Sequence, residues 1–198
     1  MSAESVRIIN AAITQHAESP IDSADDGSPM AIVFHANYEK LVKAELTRQP
    51  WKFARKVQLL AALSTAPEDE EWDYRLQLPA DCLLVRKLEK DGEPIDYELG
   101  PDGTVFANEN EEVYAAYTYR APEDRWAADF EMGIIQRCEA ICLRKQEHGA
   151  AADGRDEAAE LSFAKARRAH AQEEFPRDRL KYPLLTARRF GASASRSR

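Results

Sequence analysis

Apolar residues in the first third of the chain recur at helical spacing. Val6, Ile9 and Ile13 share one face, which predicts a short amphipathic helix over residues 3–16. The stretch Ser19-Pro20-Ile21-Asp22-Ser23-Ala24-Asp25-Asp26-Gly27 interrupts the pattern with residues that favour turns and caps. Ser28 before Pro29 has the form of an N-cap with proline in the first helical position. Met30, Val33, Phe34, Asn37, Tyr38 and Leu41 then keep helical spacing, predicting a helix over 29–47. Pro50 stops it and opens another, over 50–64, in which Phe53, Ala54, Val57, Leu60 and Ala61 form a stripe. None of the three is long enough to be stable alone in water, so they are expected to pack together.

Beyond the acidic run Pro67-Glu68-Asp69-Glu70-Glu71 the period changes from helical to extended. Trp72-Asp73-Tyr74-Arg75-Leu76-Gln77-Leu78-Pro79-Ala80-Asp81-Cys82 leads into Leu83-Leu84-Val85-Arg86-Lys87-Leu88, which reads as a strand. Ile95 to Leu99 and Thr104 to Ala107 alternate cleanly on either side of Gly100-Pro101-Asp102-Gly103, a strong hairpin turn. Val113, Ala115, Tyr117 and Tyr119 line one face of a fourth strand. Four short strands with tight connections predict an antiparallel meander at about 75–120.

Ala121-Pro122-Glu123-Asp124 places proline and then acids where a helix starts. Trp126, Phe130, Ile134, Cys138, Ile141 and Cys142 make the stripe of a core helix over 123–147. Gly149 to Gly154 reads as a break. Residues 155–175 are again helical but poor in large apolars, chiefly Leu161, Phe163 and Phe175, which suits a helix lying on a neighbour or in solvent. After Pro176 no period persists.

The expected fold is α+β and mainly helical: a helical bundle with an inserted small antiparallel β-meander and an extended C-terminal tail. Residues 1–175 form one domain, with 176–198 as a basic tail.

At 198 residues and 44% hydrophobic composition the chain can bury a core. No apolar run approaches the roughly 20 residues that span a bilayer, and the start lacks the features of a signal peptide. The net charge of −8 hides a division. Residues 176–198 hold seven cations against Asp178 alone, a charge of +6 that leaves −14 on residues 1–175. An acidic body with a basic tail suits reaching an acidic protein surface, and speaks against general DNA binding.

Candidate chemistry is sparse. The chain has no P-loop, dinucleotide fingerprint, zincin motif or nucleophile elbow. Cys138, Cys142 and His148 come closest to a metal set, but tetrahedral zinc wants four ligands and no fourth is evident. The three cysteines, Cys82 included, read as free thiols, those at 138 and 142 in the core. Glu68 to Glu71 beside Trp72 offers a carboxylate pair only in outline, since neighbouring acids on a loop stay solvated and ionised. Trp51 and Trp126 adjoin apolar stripes and read as core; Trp72 is more open. In the tail, Tyr182, Leu184, Leu185 and Phe190 interleave with Arg177, Arg179, Lys181, Arg188 and Arg189. Aromatics with arginines are what binding hot spots favour, so these nine residues are expected to dock on a partner.

One ordered set of residues carries a resemblance. It consists of Ile9-Asn10-Ala11-Ala12-Ile13, Pro20-Ile21-Asp22-Ser23, Tyr38, Pro50-Trp51-Lys52-Phe53-Ala54, the segment from Trp72 to Leu83, and Trp126 with Phe130. In this order they resemble the tail tubular protein A family, head-to-tail adaptors of short-tailed phages, over roughly residues 6–147. The resemblance implies a structural virion protein with no catalytic residues, cofactor or metal. It implies a homo-oligomeric ring, usually of twelve copies, beneath the portal protein and above a tail nozzle protein of the tail tubular B kind. Such a protein is made in the host cytoplasm and resides in the phage neck, with no membrane and no specific nucleic acid as partner. By the same analogy the tail from Arg177 to Phe190 reaches the portal. Two other classes stand beside this expectation: a tail-associated peptidoglycan hydrolase using the acidic loop, and a nucleic-acid-binding module using the basic tail.

Overall fold

A computed structural model describes residues 2–16, 19–23, 26–67 and 71–172. Helix α1 (Ala3–Ile13) is capped by Ser2, whose Oγ accepts from the Ser5 amide at 3.0 Å, and a 3-10 turn at Thr14–His16 extends it. Helix α2 (Pro29–Arg48) starts as expected, with Ser28 Oγ accepting from the Ala31 amide at 3.2 Å. Between them Asn10 takes over as an anchor. Its carboxamide donates to the Ile21 carbonyl at 2.9 Å and accepts from the Ile21 amide at 2.8 Å, which fixes the loop and buries Ile21.

The helix expected over 50–64 does not form. After a 3-10 turn at Lys52–Ala54 the chain is extended, as β1 (Arg55–Leu59) and β2 (Ala61–Ala62). β1 lies at a sheet edge with every residue exposed, so the alternation that marks a half-buried strand never appears and the spacing mimics a helix. Long-range pairing overrides that local pattern. The other strands are β3 (Tyr74–Gln77), β4 (Cys82–Lys90), β5 (Glu93–Ile95), β6 (Glu98–Leu99), β7 (Thr104–Ala107) and β8 (Tyr114–Tyr119).

They make two four-stranded antiparallel sheets, ordered β1-β8-β4-β5 and β2-β3-β7-β6. The β region therefore spans 55–119 rather than about 75–120, and it is not a single meander. Consecutive strands change sheet at Leu60, at Leu78–Asp81, at Asp96–Tyr97 and again before Tyr114. The expected turn forms: Asp102-Gly103 (φ 56° and 69°) joins β6 to β7, and Asp91-Gly92 (φ 54° and 84°) joins β4 to β5 in the same way, conformations that Asp-Gly pairs tolerate.

Helix α3 (Ala128–Lys145) follows a separate 3-10 turn at Glu123–Arg125, so the helix expected at 123–147 is shorter at both ends. Its end is a Schellman motif: the His148 amide donates to Leu143 O at 2.9 Å and the Glu147 amide to Arg144 O at 3.1 Å. Glu147 occupies the left-handed position, at φ 64°, where glycine is usual. This tight reversal launches α4 (Gly149–Gln172) at once, and the break expected from Gly149 to Gly154 is helical instead.

Nor does α4 lie in solvent; it packs antiparallel on α3. Phe163 is fully buried over Gly133, where the absent side chain makes room for the ring, and Ala152 seats against Ala140 and Leu143. Leu161, expected in the stripe, points outward. Ion pairs add to the seam: Arg137 with Asp156 at 2.6 Å and with Glu160, and Arg155 with Glu139 at 2.9 Å. A sequence poor in large apolars still builds a helix with one buried face here, because alanines and one phenylalanine meet a neighbouring helix that carries a glycine.

The fold is mixed α+β with one hydrophobic core shared by helices and both sheets. Phe130 stands at its centre, its ring centroid 5.0 Å from Trp51, 5.1 Å from Phe53, 5.1 Å from Trp126 and 5.5 Å from Phe163.

Candidate interaction surface

The nine tail residues expected to bind a partner, from Arg177 to Phe190, lie outside the described residues, as do Glu68, Asp69 and Glu70 of the acidic loop. Glu71 is exposed, and Trp72 is tied down, its indole Nε1 donating to Glu98 Oε2 at 3.1 Å. Cys138 and Cys142 are buried in the core whereas His148 is exposed at the head of α4, so the three do not converge. Burial drives the Cys138 thiol far above its ordinary pKa, aided by Cys142, and raises Cys82 as well. Among the described residues no group of three or more His, Cys, Asp or Glu side chains is placed to hold a metal.

Several residues singled out in the sequence, Tyr38, Trp51, Phe53, Asp81, Trp126 and Phe130, sit at separate joints of the fold. Trp51, Phe53, Trp126 and Phe130 form the aromatic centre, where the indole Nε1 atoms of Trp51 and Trp126 donate to Glu45 O and Ala121 O, each at 3.0 Å. Tyr38 donates to the buried carboxylate of Glu123 at 3.3 Å. Arg120 bonds that carboxylate at 2.6 Å, reaches Glu39 at 2.9 Å, and lies 5.5 Å over the Trp126 ring. Hydrogen bonds from Arg120 hold the Glu39 carboxyl below its usual range, and burial pushes the Tyr38 phenol far up. At the sheet, Asp81 accepts from Lys56 Nζ at 2.5 Å and from the Tyr117 hydroxyl at 3.0 Å. The Lys56 bond lowers the Asp81 pKa, while burial and then Asp81 push Tyr117 up to about 12.

Sequence reading missed a cationic pocket of about 300 Å³ where the end of α2, the start of β1, strands β8 and β4, and the last turn of α4 meet. Ala116 and Thr118 of β8 are small and leave the depression; Lys52, Arg55, Arg86 and Lys87 surround it, with His170 of α4 at the wall. Lys52 ties that wall in place, its Nζ donating to His170 O at 3.2 Å. Arg86 is half-buried. Its Nε donates to Thr118 Oγ1 at 2.9 Å, and Nη2 to the Thr47 and Gln49 carbonyls at 2.8 and 2.9 Å, so it caps the negative end of α2. Burial lowers its pKa. Lys87 pairs with Glu89, but among the described residues no carboxylate pairs with Arg55 or Arg86. The signal was present as the doublets Arg55-Lys56 and Arg86-Lys87. It was unreadable without knowing that β1 and β4 flank β8.

Next to the pocket β1 leaves its outer edge without a strand partner among the described residues, and Val57, Leu59 and Tyr114 stand 53%, 51% and 41% exposed. Exposed edges of this kind are templates for pairing with another chain. Compared with known proteins, the chain matches no protein-family model and no curated protein sequence.

Proposed function

We propose that this chain is a structural assembly protein, a head-to-tail adaptor that joins a homo-oligomeric ring between the portal and the tail of a phage. The observation that carries the reading is the placement of the ordered residues that resemble the tail tubular protein A family. Asn10, Ile21, Tyr38, Trp51, Phe53, Asp81, Trp126 and Phe130 act as anchors, caps and ring packing that hold helices to sheets. A set of that kind serves geometry, which is what a ring subunit must reproduce from copy to copy. The exposed apolar β1 edge and the opposite charges of body and tail supply surfaces for heterologous contact.

Binding between the purified protein and the portal protein of the same phage tests the proposal, with electron microscopy of the mixture as readout. The expected result is a ring on the portal, and a variant ending at Pro176 that stays folded but no longer binds. A mixture that forms no complex overturns the reading, and full binding by the truncated variant removes the tail from it. Cell-wall clearing by the purified protein, lost in Glu70→Gln/Glu71→Gln, would instead support the hydrolase alternative.

A further inference from the structure

The sheet β1-β8-β4-β5 closes one of its edges and leaves the other open. On the closed side β5 has three residues, and Lys90 and Glu93 flank the tight turn before it. Glu93 and Ile95 therefore bond β4, and Pro94 faces outward, where it has no N–H to offer. Glu93 and Asp96 add exposed charge. A short strand, an outward proline and charges are the devices that keep other chains off a sheet edge. The β1 side carries none of them. Residues 55–63 hold no proline, glycine or acid, and β1 pairs with β8 over five residues without a bulge. Its lysine is turned back on the sheet, where Lys56 Nζ bonds Asp81 at 2.5 Å and lies 4.1 Å from the centre of the Tyr119 ring. The Leu60 amide donates to Val113 O at 2.8 Å, so by alternation Lys56 and Gln58 also bond β8. The backbone groups of Arg55, Val57 and Leu59 then face away from it, and half-exposed Val57 and Leu59 share a face with half-exposed Tyr114.

We propose that β1 pairs antiparallel with β1 of a second copy, about a two-fold axis at Val57, so that two four-stranded sheets become one. The pattern along the strand selects both the partner and the register. With Val57 opposite the partner's Val57, Arg55 lies opposite the partner's Leu59, and all three outward-facing residues meet outward-facing residues. Lys56 then faces the partner's Gln58. Sliding one step one way sets Lys56 against the partner's Lys56, and like charges directly opposite destabilise a ladder. Sliding the other way spends Arg55 on the partner's Ala61, which already pairs with Gln77 of β3. In the chosen register the two Arg55 positions stand about 14 Å apart along the strands, beyond the screening length of about 8–10 Å. The edge thus fits an apolar strand with its cation at the far end, which is what β1 itself is. A ladder this short sits at the low end of interface sizes, so the dimer is weak and reversible, with Kd on the order of 10–100 μM. The pairing does not depend on the adaptor role. A two-fold contact closes on itself and builds no ring. For a ring subunit the dimer is the form before assembly, and it withholds the β1 edge until another surface displaces it.

Sedimentation velocity of the full-length chain alone, from about 2 to about 300 μM, tests the pairing. The expected result is a shift from the mass of one chain to that of two. Val57→Lys sets two ammonium groups against each other at the axis and is expected to weaken the dimer at least tenfold. Leu161→Lys, at an exposed apolar position on α4, is expected to leave it unchanged. The mass of one chain at every concentration overturns the proposal, and so does a dimer that Val57→Lys leaves intact. Species that grow beyond two copies overturn it in favour of a heterologous contact.

Crosslinking reads the register. In a Cys82→Ser background, where the remaining thiols are buried, Val57→Cys and Leu59→Cys are each oxidised with diamide. Residues that face each other across a hydrogen-bonded pair stand about 5.5 Å apart at Cα, within reach of a disulfide. The two Leu59 positions stand about 14 Å apart and cannot be bridged. The expected result is a disulfide-linked dimer from Val57→Cys, at least tenfold more abundant than from Leu59→Cys. Equal yields, or none from Val57→Cys, overturn the proposal. The portal is absent from both measurements, so failure to bind it leaves them unaffected, and a chain that stays single leaves the adaptor reading standing.

Discussion

Gly133→Ala measures whether α4 belongs to the fold. An ideal Cβ at Gly133 would lie 2.5, 2.7 and 2.8 Å from Cε1, Cζ and Cδ1 of Phe163, closer than carbon atoms approach without displacement. On an isolated helix the substitution stabilises by about 1 kcal/mol, because alanine is the better helix former. Here the added methyl must push the ring of a fully buried phenylalanine, and overpacking of that kind costs about 1–3 kcal/mol. The net expectation is a loss of up to about 2 kcal/mol in the native background. In Phe163→Ala, with the ring gone, the same change should recover the helix term and stabilise by about 1 kcal/mol. The coupling between the two positions is then about 1–3 kcal/mol, well above the 0.3–0.5 kcal/mol within which distant sites add. Urea unfolding of the four proteins of the cycle reads it directly. Phe163→Leu replaces alanine as background if the larger cavity, worth about 3–5 kcal/mol, leaves no native baseline. A Gly133→Ala effect of the same sign and size in both backgrounds refutes the packing of α4 on α3.

Arg120→Met leaves the buried Glu123 carboxylate without its cation and should cost about 3–5 kcal/mol in urea unfolding, most of it recovered by adding Glu123→Gln; a loss below about 1 kcal/mol contradicts the joint. Glu147→Gly places glycine at the left-handed position ending α3 and should raise stability by about 1 kcal/mol, whereas destabilisation would argue against the Schellman geometry. The carboxyls of Glu39, Asp81 and Glu160 sit below their ordinary pKa through bonds from Arg120, Lys56 and Arg48; at Asp156 burial opposes the bonds from Arg137 and Arg144 but is outweighed. Groups depressed in the folded state stabilise it above the unfolded pKa, near 4, and that contribution is lost as pH falls through the folded values. The urea midpoint should therefore fall steadily below about pH 5, and a midpoint flat from pH 6 to 3.5 counts against these pairs.

What could be read from the sequence was local. Ser28-Pro29 marks a helix start and Asp102-Gly103 a reversal whatever surrounds them, because cap and turn preferences are set by the chain's own backbone. The stripe from Phe130 to Cys142 is legible because α3 buries one broad face. The failures share a different cause. Phe53, Val57 and Leu60 are spaced like a helix, yet β1 exists because β8 offers it a ladder, and β8 lies some 60 residues away. The division of strands between two sheets leaves no trace in their alternation. The weak face of 155–175 becomes a buried seam only because Gly133 on another helix receives Phe163. The cationic pocket was hidden for the same reason, assembled from four places in the chain by pairings no local pattern announces.

The distribution of chemistry over the fold bears on the proposed role. The buried carboxylates among the described residues, Glu123, Glu139 and Glu45, pair with arginines that join α2, α3, α4 and the turn before α3. Breaking any such pair leaves a buried charge, so each enforces one mutual arrangement of its elements more than it adds net stability. The aromatic centre does the same through shape, since offset and edge-on ring contacts constrain orientation as well as distance. Together these contacts fix the relation between the helices and the sheet edges. A subunit repeated around a closed ring gains a great deal, because an angular error at one interface is multiplied by the number of copies. On that reasoning the buried charges at joints between elements suit the proposed adaptor role, and the β1 edge is a feature whose position those joints hold constant.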